Sequence, residues 1–204
     1  KAGGIVVATM PMLRAKELSY FIQKAQINLA LCDHRLLAEL QGAQALCHDL
    51  KQIVTWGNGG DTSLETMMAD ESPDFTAVDT AAEDICLISF TSGTTGEPKG
   101  TLHYHRDLLV ITDTYGARVL KASPDDIFIG SPPLAFTFGL GGIVLFPLRI
   151  GAATVMLERA APDDLLPAIE RFKASVCFTA PTAYRQMLAK LKDHSIASLR
   201  ICVS

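Results

Sequence analysis

The stretch Thr91–Gly100 reads "TSGTTGEPKG" and follows the apolar run Ile85–Phe90. Its residues are suited to one task, which is holding a polyphosphate. Small residues let backbone amides approach an anion and point at it, so Gly93 and Gly96 are expected at sharp turns. The hydroxyls of Thr91, Ser92, Thr94 and Thr95 add donors. Lys99 adds a mobile positive charge matched to phosphate. Binding is therefore expected from Thr91, Ser92, Gly93, Thr94, Thr95, Gly96 and Lys99. One hydroxyl, assigned to Thr95, suits a magnesium ion. The familiar nucleotide motifs do not fit. A Walker A loop needs Gly before its Lys and Ser or Thr after it, whereas Pro98 and Gly100 flank Lys99. A dinucleotide fingerprint, GxGxxG opening a helix, is also missing.

Other candidate chemistry is weaker. His103 and His105 stand two apart in "LHYHRD", but no third residue has a matching ligand spacing. Cys32, Cys47, Cys86, Cys177 and Cys202 are scattered and mostly lie in apolar runs, as buried thiols of a reducing compartment do. Asp125, Asp126, Asp163 and Asp164 form acidic pairs after prolines. They read as devices for entering a strand or helix, with nothing polar converging on them. His34, His48 and His194 read as surface or helix-end residues.

Alternating strands and helices must position the loop. Strand patterns are expected at Ile5–Ala8, Leu29–Cys32, Ile53–Trp56, Ile85–Phe90, Ile127–Gly130, Thr154–Leu157, Val176–Thr179 and Leu199–Val203. Helix patterns are expected at Ala15–Ala25, Arg35–Leu50, Arg106–Leu120, Gly139–Leu148, Pro162–Phe172 and Pro181–Leu191, with a short helix at Ser63–Met68. Apolar strands separated by helices imply an α/β fold of layered, mostly parallel sheets flanked by helices. Ligands in such sheets bind beyond the carboxyl ends of the strands, and the loop after Phe90 is at such an end. Three stretches are expected: 1–60 as a βα segment, 61–84 as a polar linker, and 85–204 as the α/β subdomain that binds nucleotide and substrate. Both chain ends fall inside regular patterns, "KAGGIVV" and "LRICVS", as expected of an internal piece of a longer protein.

The bulk numbers narrow the class. The chain has 204 residues, is 49% hydrophobic and 20% charged, and carries a net charge of −4 with no basic tract. Nucleic acid and anionic membrane surfaces are therefore not expected partners. The longest greasy stretch, Phe136–Leu148, is broken by Gly139, Gly141, Gly142 and Pro147 and is too short to span a membrane. A cytoplasmic setting is expected.

"TSGTTGEPKG" resembles the signature loop of the adenylate-forming superfamily: acyl- and aryl-CoA synthetases, luciferases and the adenylation domains of peptide synthetases. "KAGGIVVATMPMLRAKELSYFI", "GSPPLAFTFGLGG" and "CFTAPTAYRQML" resemble further segments of that family, so the likeness runs along almost the whole chain. It implies part of the large N-terminal domain of such an enzyme. It also implies a two-step reaction, in which ATP activates a carboxylic acid to an acyl adenylate and coenzyme A then takes the acyl group. Lys99, Thr91 and Thr94 would act catalytically on the departing pyrophosphate, with magnesium helping. Ala135, Phe136, Gly139 and His105 would line or border the acid pocket. Many members carry a histidine where Phe136 stands; this departure resembles benzoate- and aminobenzoate-CoA ligases and suits a planar aromatic acid. Phe138 either joins that wall or packs the core. The family's adenine-reading motifs and its mobile C-terminal lysine would lie beyond residue 204, so residues 1–204 alone are expected to be inactive. Carrier-protein loading, luciferase-like oxygenation and a non-catalytic binding module remain as alternatives. Many members pair as homodimers, and the composition here neither favours nor opposes it.

Overall fold

The computed structural model describes residues 1–91 and 96–204. The chain divides into two compact units. The first comprises Lys1–Ala81 and Ile85–Leu102; the second comprises Ala82–Asp84 and His103–Ser204.

In the first unit, helix α1 (Ala15–Ala25) opens with the Glu17 carboxylate accepting from the Arg14 backbone N–H at 2.8 Å. It ends where Gln26 turns left-handed at φ 54°. Strand β1 (Leu29–Asp33) leads through a single 3₁₀ turn, His34–Leu36, into helix α2 (Leu37–Leu46). The expected helix Arg35–Leu50 is thus shorter, because Asp33 captures the Arg35 N–H at 2.9 Å and holds the first turn tight. Strand β2 (Gln52–Trp56) pairs parallel with β1, Leu29 opposite Gln52. Helix α3 (Leu64–Ala69) is capped by Ser63, whose Oγ accepts from the Thr66 N–H. Ile22, Leu40, Ala43, Cys47 and Leu50 form the buried core between the helices and this sheet.

Strand β3 (Ile85–Thr91) pairs with β4 (Lys99–Tyr104) in a separate two-stranded sheet. Strand β4 has no counterpart among the strands expected from the sequence, since Pro98 and Gly100 interrupt any alternation there. The expected strand Ile5–Ala8 reduces to a single bridge. Val6 donates to Cys86 O and accepts from the Ile88 N–H, both at 2.9 Å, while Ile5 and Val6 stay exposed.

The second unit opens with helix α4 (His105–Ile111), which widens to π pitch over Thr112–Val119. The threonines supply a cause: Thr112 Oγ1 donates to Leu109 O at 2.7 Å and Thr114 Oγ1 to Val110 O at 2.6 Å, competing with the helical amides for those carbonyls. Strand β5 (Ile127–Gly130) follows. Next comes a helical stretch of changing pitch: α5 (Thr137–Gly139), a π segment (Leu140–Leu145) and α6 (Phe146–Ile150). Strand β6 (Ala153–Val155), helix α7 (Pro162–Phe172), strand β7 (Val176–Phe178), helix α8 (Pro181–Lys190) and strand β8 (Ile201–Val203) complete it. These four strands form one parallel sheet in the order β6-β5-β7-β8. One face packs Ile129, Leu165, Leu166, Ile169, Cys177 and Met187; the other packs Leu120, Phe128, Phe146, Val176 and Phe178. The α/β class with mostly parallel strands is as read from the sequence. Among the described residues, no helix is long and apolar enough to cross a membrane.

Candidate functional site

The loop expected to hold phosphate lies between β3 and β4. Ser92, Gly93, Thr94 and Thr95 lie outside the described residues; its flanks are defined. Thr91 ends β3 and Lys99 opens β4, both exposed. The structure brings these two together: Thr91 Oγ1 donates to Lys99 O at 3.4 Å, a long bond that a better acceptor would displace. Gly96 adopts φ 100°, which only glycine takes without strain, and a side chain there would meet open space. Pro98 O accepts from Tyr20 Oη at 2.9 Å. Just before the loop, Phe90 stacks on Phe21 with centroids 4.2 Å apart and planes at 15°. Thr101 Oγ1 donates to Ser89 O at 2.8 Å. The loop therefore springs from a neck fixed on both sides, with the Lys99 side chain exposed.

No group of three His, Cys, Asp or Glu residues able to hold a metal occurs among the described residues. A nucleotide-bound magnesium takes most of its ligands from phosphate and water, so a single hydroxyl suffices on the protein side. Thr95, the residue assigned to it, lies outside the described residues.

In the second unit, Ala135, Phe136 and Gly139 share one turn after β5. Phe136 precedes α5, its N–H bonded to Pro133 O at 3.1 Å and its own carbonyl accepting from the Leu140 N–H at 2.8 Å. Its ring is 47% exposed, whereas Phe138 leans on buried Phe178 with centroids 5.5 Å apart. Both rings are partly exposed, Phe138 at 38%, and of the two only Phe138 has a ring contact with the core. Gly139 is compelled by sterics: a Cβ there would lie 2.2 Å from Pro133 O and 2.5 Å from Pro132 O. His105 stands on another element, half-buried at the start of α4, its N–H donating to Asp84 O at 3.1 Å.

Two polar clusters escaped the sequence reading. At the carboxyl ends of the strands, the Ser131 and Thr179 hydroxyls are hydrogen-bonded to each other, joining the exits of β5 and β7. Beside them Tyr184 Oη donates to Cys177 O at 2.6 Å and accepts from the Val203 N–H at 3.1 Å. Burial holds this phenol well above its ordinary pKa and pushes the Cys177 thiol up to about 11, so both stay protonated.

The second cluster corrects the view that nothing polar converges on Asp126. That residue is buried, and it accepts from Arg200 Nε at 2.8 Å, from Arg200 Nη2, from Ser175 Oγ at 2.7 Å and from the Ser123 N–H at 2.8 Å. Chiefly the Arg200 guanidinium holds its carboxyl well below the usual carboxylate range. Arg200 is 74 positions away, a separation that carries no local sequence signal. Asp126 binds the amino ends of β5, β7 and β8 and is structural. Asp163, in the first turn of α7, accepts from Lys190 Nζ at 2.6 Å on the surface.

The family model for AMP-binding enzymes matches residues 1–204. The benzoate–CoA ligase of Thauera aromatica is 30% identical over 207 residues, spanning 100% of this chain and 39% of that protein. The structure of the anthranilate CoA ligase AuaEII in complex with anthranoyl-AMP is similar with a TM-score of 0.91 at 30% identity. That match covers 97% of this chain and 40% of that one. ATP-bound MatB from Rhodopseudomonas palustris gives a TM-score of 0.85 at 28% identity, over 98% of this chain and 39% of that one. The chain thus spans about two-fifths of the length of the relatives it matches.

Proposed function

We infer the function from one premise: this chain belongs to the AMP-binding enzyme family, whose model matches it from end to end. We propose that the intact protein is an acid–thiol ligase. It would activate a carboxylic acid with ATP to an acyl adenylate and pass the acyl group to coenzyme A. The observation that carries this reading is the neck of the glycine-rich loop, with Thr91 and Lys99 joined at its base and the Lys99 side chain exposed.

The carboxylate needs no general base, being ionised at neutral pH. Its oxygen attacks the α-phosphorus of ATP, the bond to the β-phosphate oxygen breaks, and pyrophosphate leaves. Ser92, Gly93, Thr94, Thr95 and Gly96 hold the β- and γ-phosphates through backbone amides and hydroxyls. Thr91 and Lys99 act from the neck. Lys99 and Thr94 would stabilise the charge that grows on the departing group, where a preplaced donor lowers the barrier most. Magnesium, when bound, neutralises phosphate charge in the same sense, and Thr95 would offer it a hydroxyl. In the second step the thiol, losing its proton to solvent, attacks the acyl carbonyl carbon through sulfur, and the carbonyl's bond to the phosphate oxygen breaks to release AMP.

For the acid we favour an aromatic carboxylate. Phe136 offers a partly exposed ring where a histidine would be polar, and the turn that carries it is fixed by Gly139, where a side chain would clash with Pro132 and Pro133. Ala135 and His105 would border the acid in this reading. Two relatives point the same way, one a benzoate–CoA ligase and the other an anthranilate CoA ligase.

The test is pyrophosphate release by the intact protein with ATP and magnesium, across benzoate, aminobenzoates, hydroxybenzoates, acetate and medium-chain acids, with and without coenzyme A. Release is expected with aromatic acids, falling by about 100-fold in Lys99→Ala. Release with aliphatic acids alone would overturn the aromatic assignment. Turnover by residues 1–204 in isolation would contradict the need for the rest of the enzyme.

A further inference from the structure

The side chain of Lys99 is exposed, yet the backbone that launches it is tethered on both sides. Pro98 C=O shares a rigid peptide plane with the Lys99 nitrogen and Cα. Tyr20 Oη donates to that carbonyl at 2.9 Å. The next plane carries Lys99 C=O and the Gly100 nitrogen, and Thr91 Oγ1 donates to it at 3.4 Å. Lys99 Cα therefore sits between one plane that Tyr20 holds firmly and one that Thr91 holds weakly, and the Cα–Cβ direction is set chiefly by the first. Tyr20 provides the firmer bond, and it reaches over from α1, which is otherwise a core helix.

Its neighbour on α1 secures the other side of the loop. Phe21, nearly buried, stacks on Phe90, the residue before Thr91. Successive helix residues diverge by about 100°, so Tyr20 and Phe21 reach different strands of the neck. Phe21 serves the core as well as the neck. The Tyr20 hydroxyl has no such double use: a phenylalanine would fill the same apolar space. Its hydrogen bond is to Pro98 O, in the peptide plane that also carries the Lys99 nitrogen.

We propose that Tyr20 is a positioning residue for Lys99, fixing the peptide plane from which the ammonium is aimed at the polyphosphate. This rests on the phosphate-loop reading above, and the experiment separates the two.

In the intact protein, Tyr20→Phe keeps the ring and removes only the donor. The expected result is a rise of about fivefold in KM for ATP, the size of one net hydrogen bond, with KM for the acid unchanged. The melting temperature should stay near that of the parent. Combined with Lys99→Ala, the variant should add nothing, because the side chain it aims is gone. Hydrogen exchange gives a readout free of activity: the Lys99 amide should exchange faster in Tyr20→Phe, with α1 unchanged. A lowered melting temperature with KM for ATP unmoved would overturn the proposal and leave the phosphate loop standing. So would a Tyr20→Phe effect that adds in full to Lys99→Ala. If Lys99→Ala alone leaves KM for ATP and kcat unchanged, the phosphate-loop reading falls and the aiming role falls with it.

Discussion

The neck between β3 and β4 and the four-stranded sheet of the second unit are both closed by hydrogen bonds from side chains, but of different kinds. At the neck the bonds are few, neutral and only partly buried or exposed: Tyr20 to Pro98 O, Thr91 to Lys99 O, Thr101 to Ser89 O. They grip backbone carbonyls and leave the Lys99 ammonium unengaged by them. In the sheet a buried carboxylate gathers a guanidinium, a hydroxyl and a backbone amide at one end of the strands. There the charge is consumed within the protein. A loop proposed to bind phosphate would have to keep its charge for the ligand, and a scaffold of carbonyl contacts leaves that charge free. A sheet can spend a full charge on rigidity.

The sharpest way to break this contrast is to remove the sheet's charge. Asp126→Ala strands Ser175 Oγ, the Ser123 N–H and one face of Arg200. Arg200 is partly exposed and can rehydrate, which puts the cost at the lower end for a broken buried pair, about 3 kcal/mol. Denaturant unfolding of the variant against the parent would measure it. The pH dependence gives the sign. Arg200 depresses the carboxyl pKa in the folded state, so the contribution is complete above the unfolded value of about 3.9 and fades as pH falls through the folded value. The gap between parent and variant should therefore be flat near neutrality and shrink in acid. A gap that persists unchanged at pH 2 would assign it to packing.

Gly139→Ala comes next, at about 2 kcal/mol, because the clash is with backbone oxygens of Pro132 and Pro133 that cannot swing aside. The loss should appear in thermal melting. A variant with parental stability but altered acid preference would instead make Gly139 a pocket residue and not a hinge of packing.

How far the sequence foretold each region follows from the range of the contacts. The loop expected to hold phosphate stands out because its residue types are consecutive: hydroxyls, glycines and one lysine in a short span. The parallel sheet was legible because β5, β7 and β8 are apolar and short. Asp126 was misread because its partners Ser175 and Arg200 are 49 and 74 positions away. Tyr20 was passed over for the same reason, lying 78 positions from Pro98. The π pitch at Thr112–Val119 depends on which carbonyl each hydroxyl selects, and periodicity alone does not encode that choice. Strand β4 is held by pairing with β3 against its own weak pattern.

The smallest effect tests whether the neck is as local as its bonds suggest. Thr101→Val keeps the β-branched shape and removes the donor to Ser89 O. The carbonyl it leaves belongs to buried Ser89, so the cost should be about 1–1.5 kcal/mol. Where that cost appears matters more than its size. If the neck is a surface device, amide exchange should quicken along Lys99–Tyr104 while β5, β7 and β8 keep their protection. If protection falls equally in the second unit, the neck is part of the same cooperative structure as the sheet. The division between a scaffold of carbonyl contacts and one of buried charge would then be only a difference of chemistry, with no separate stability behind it.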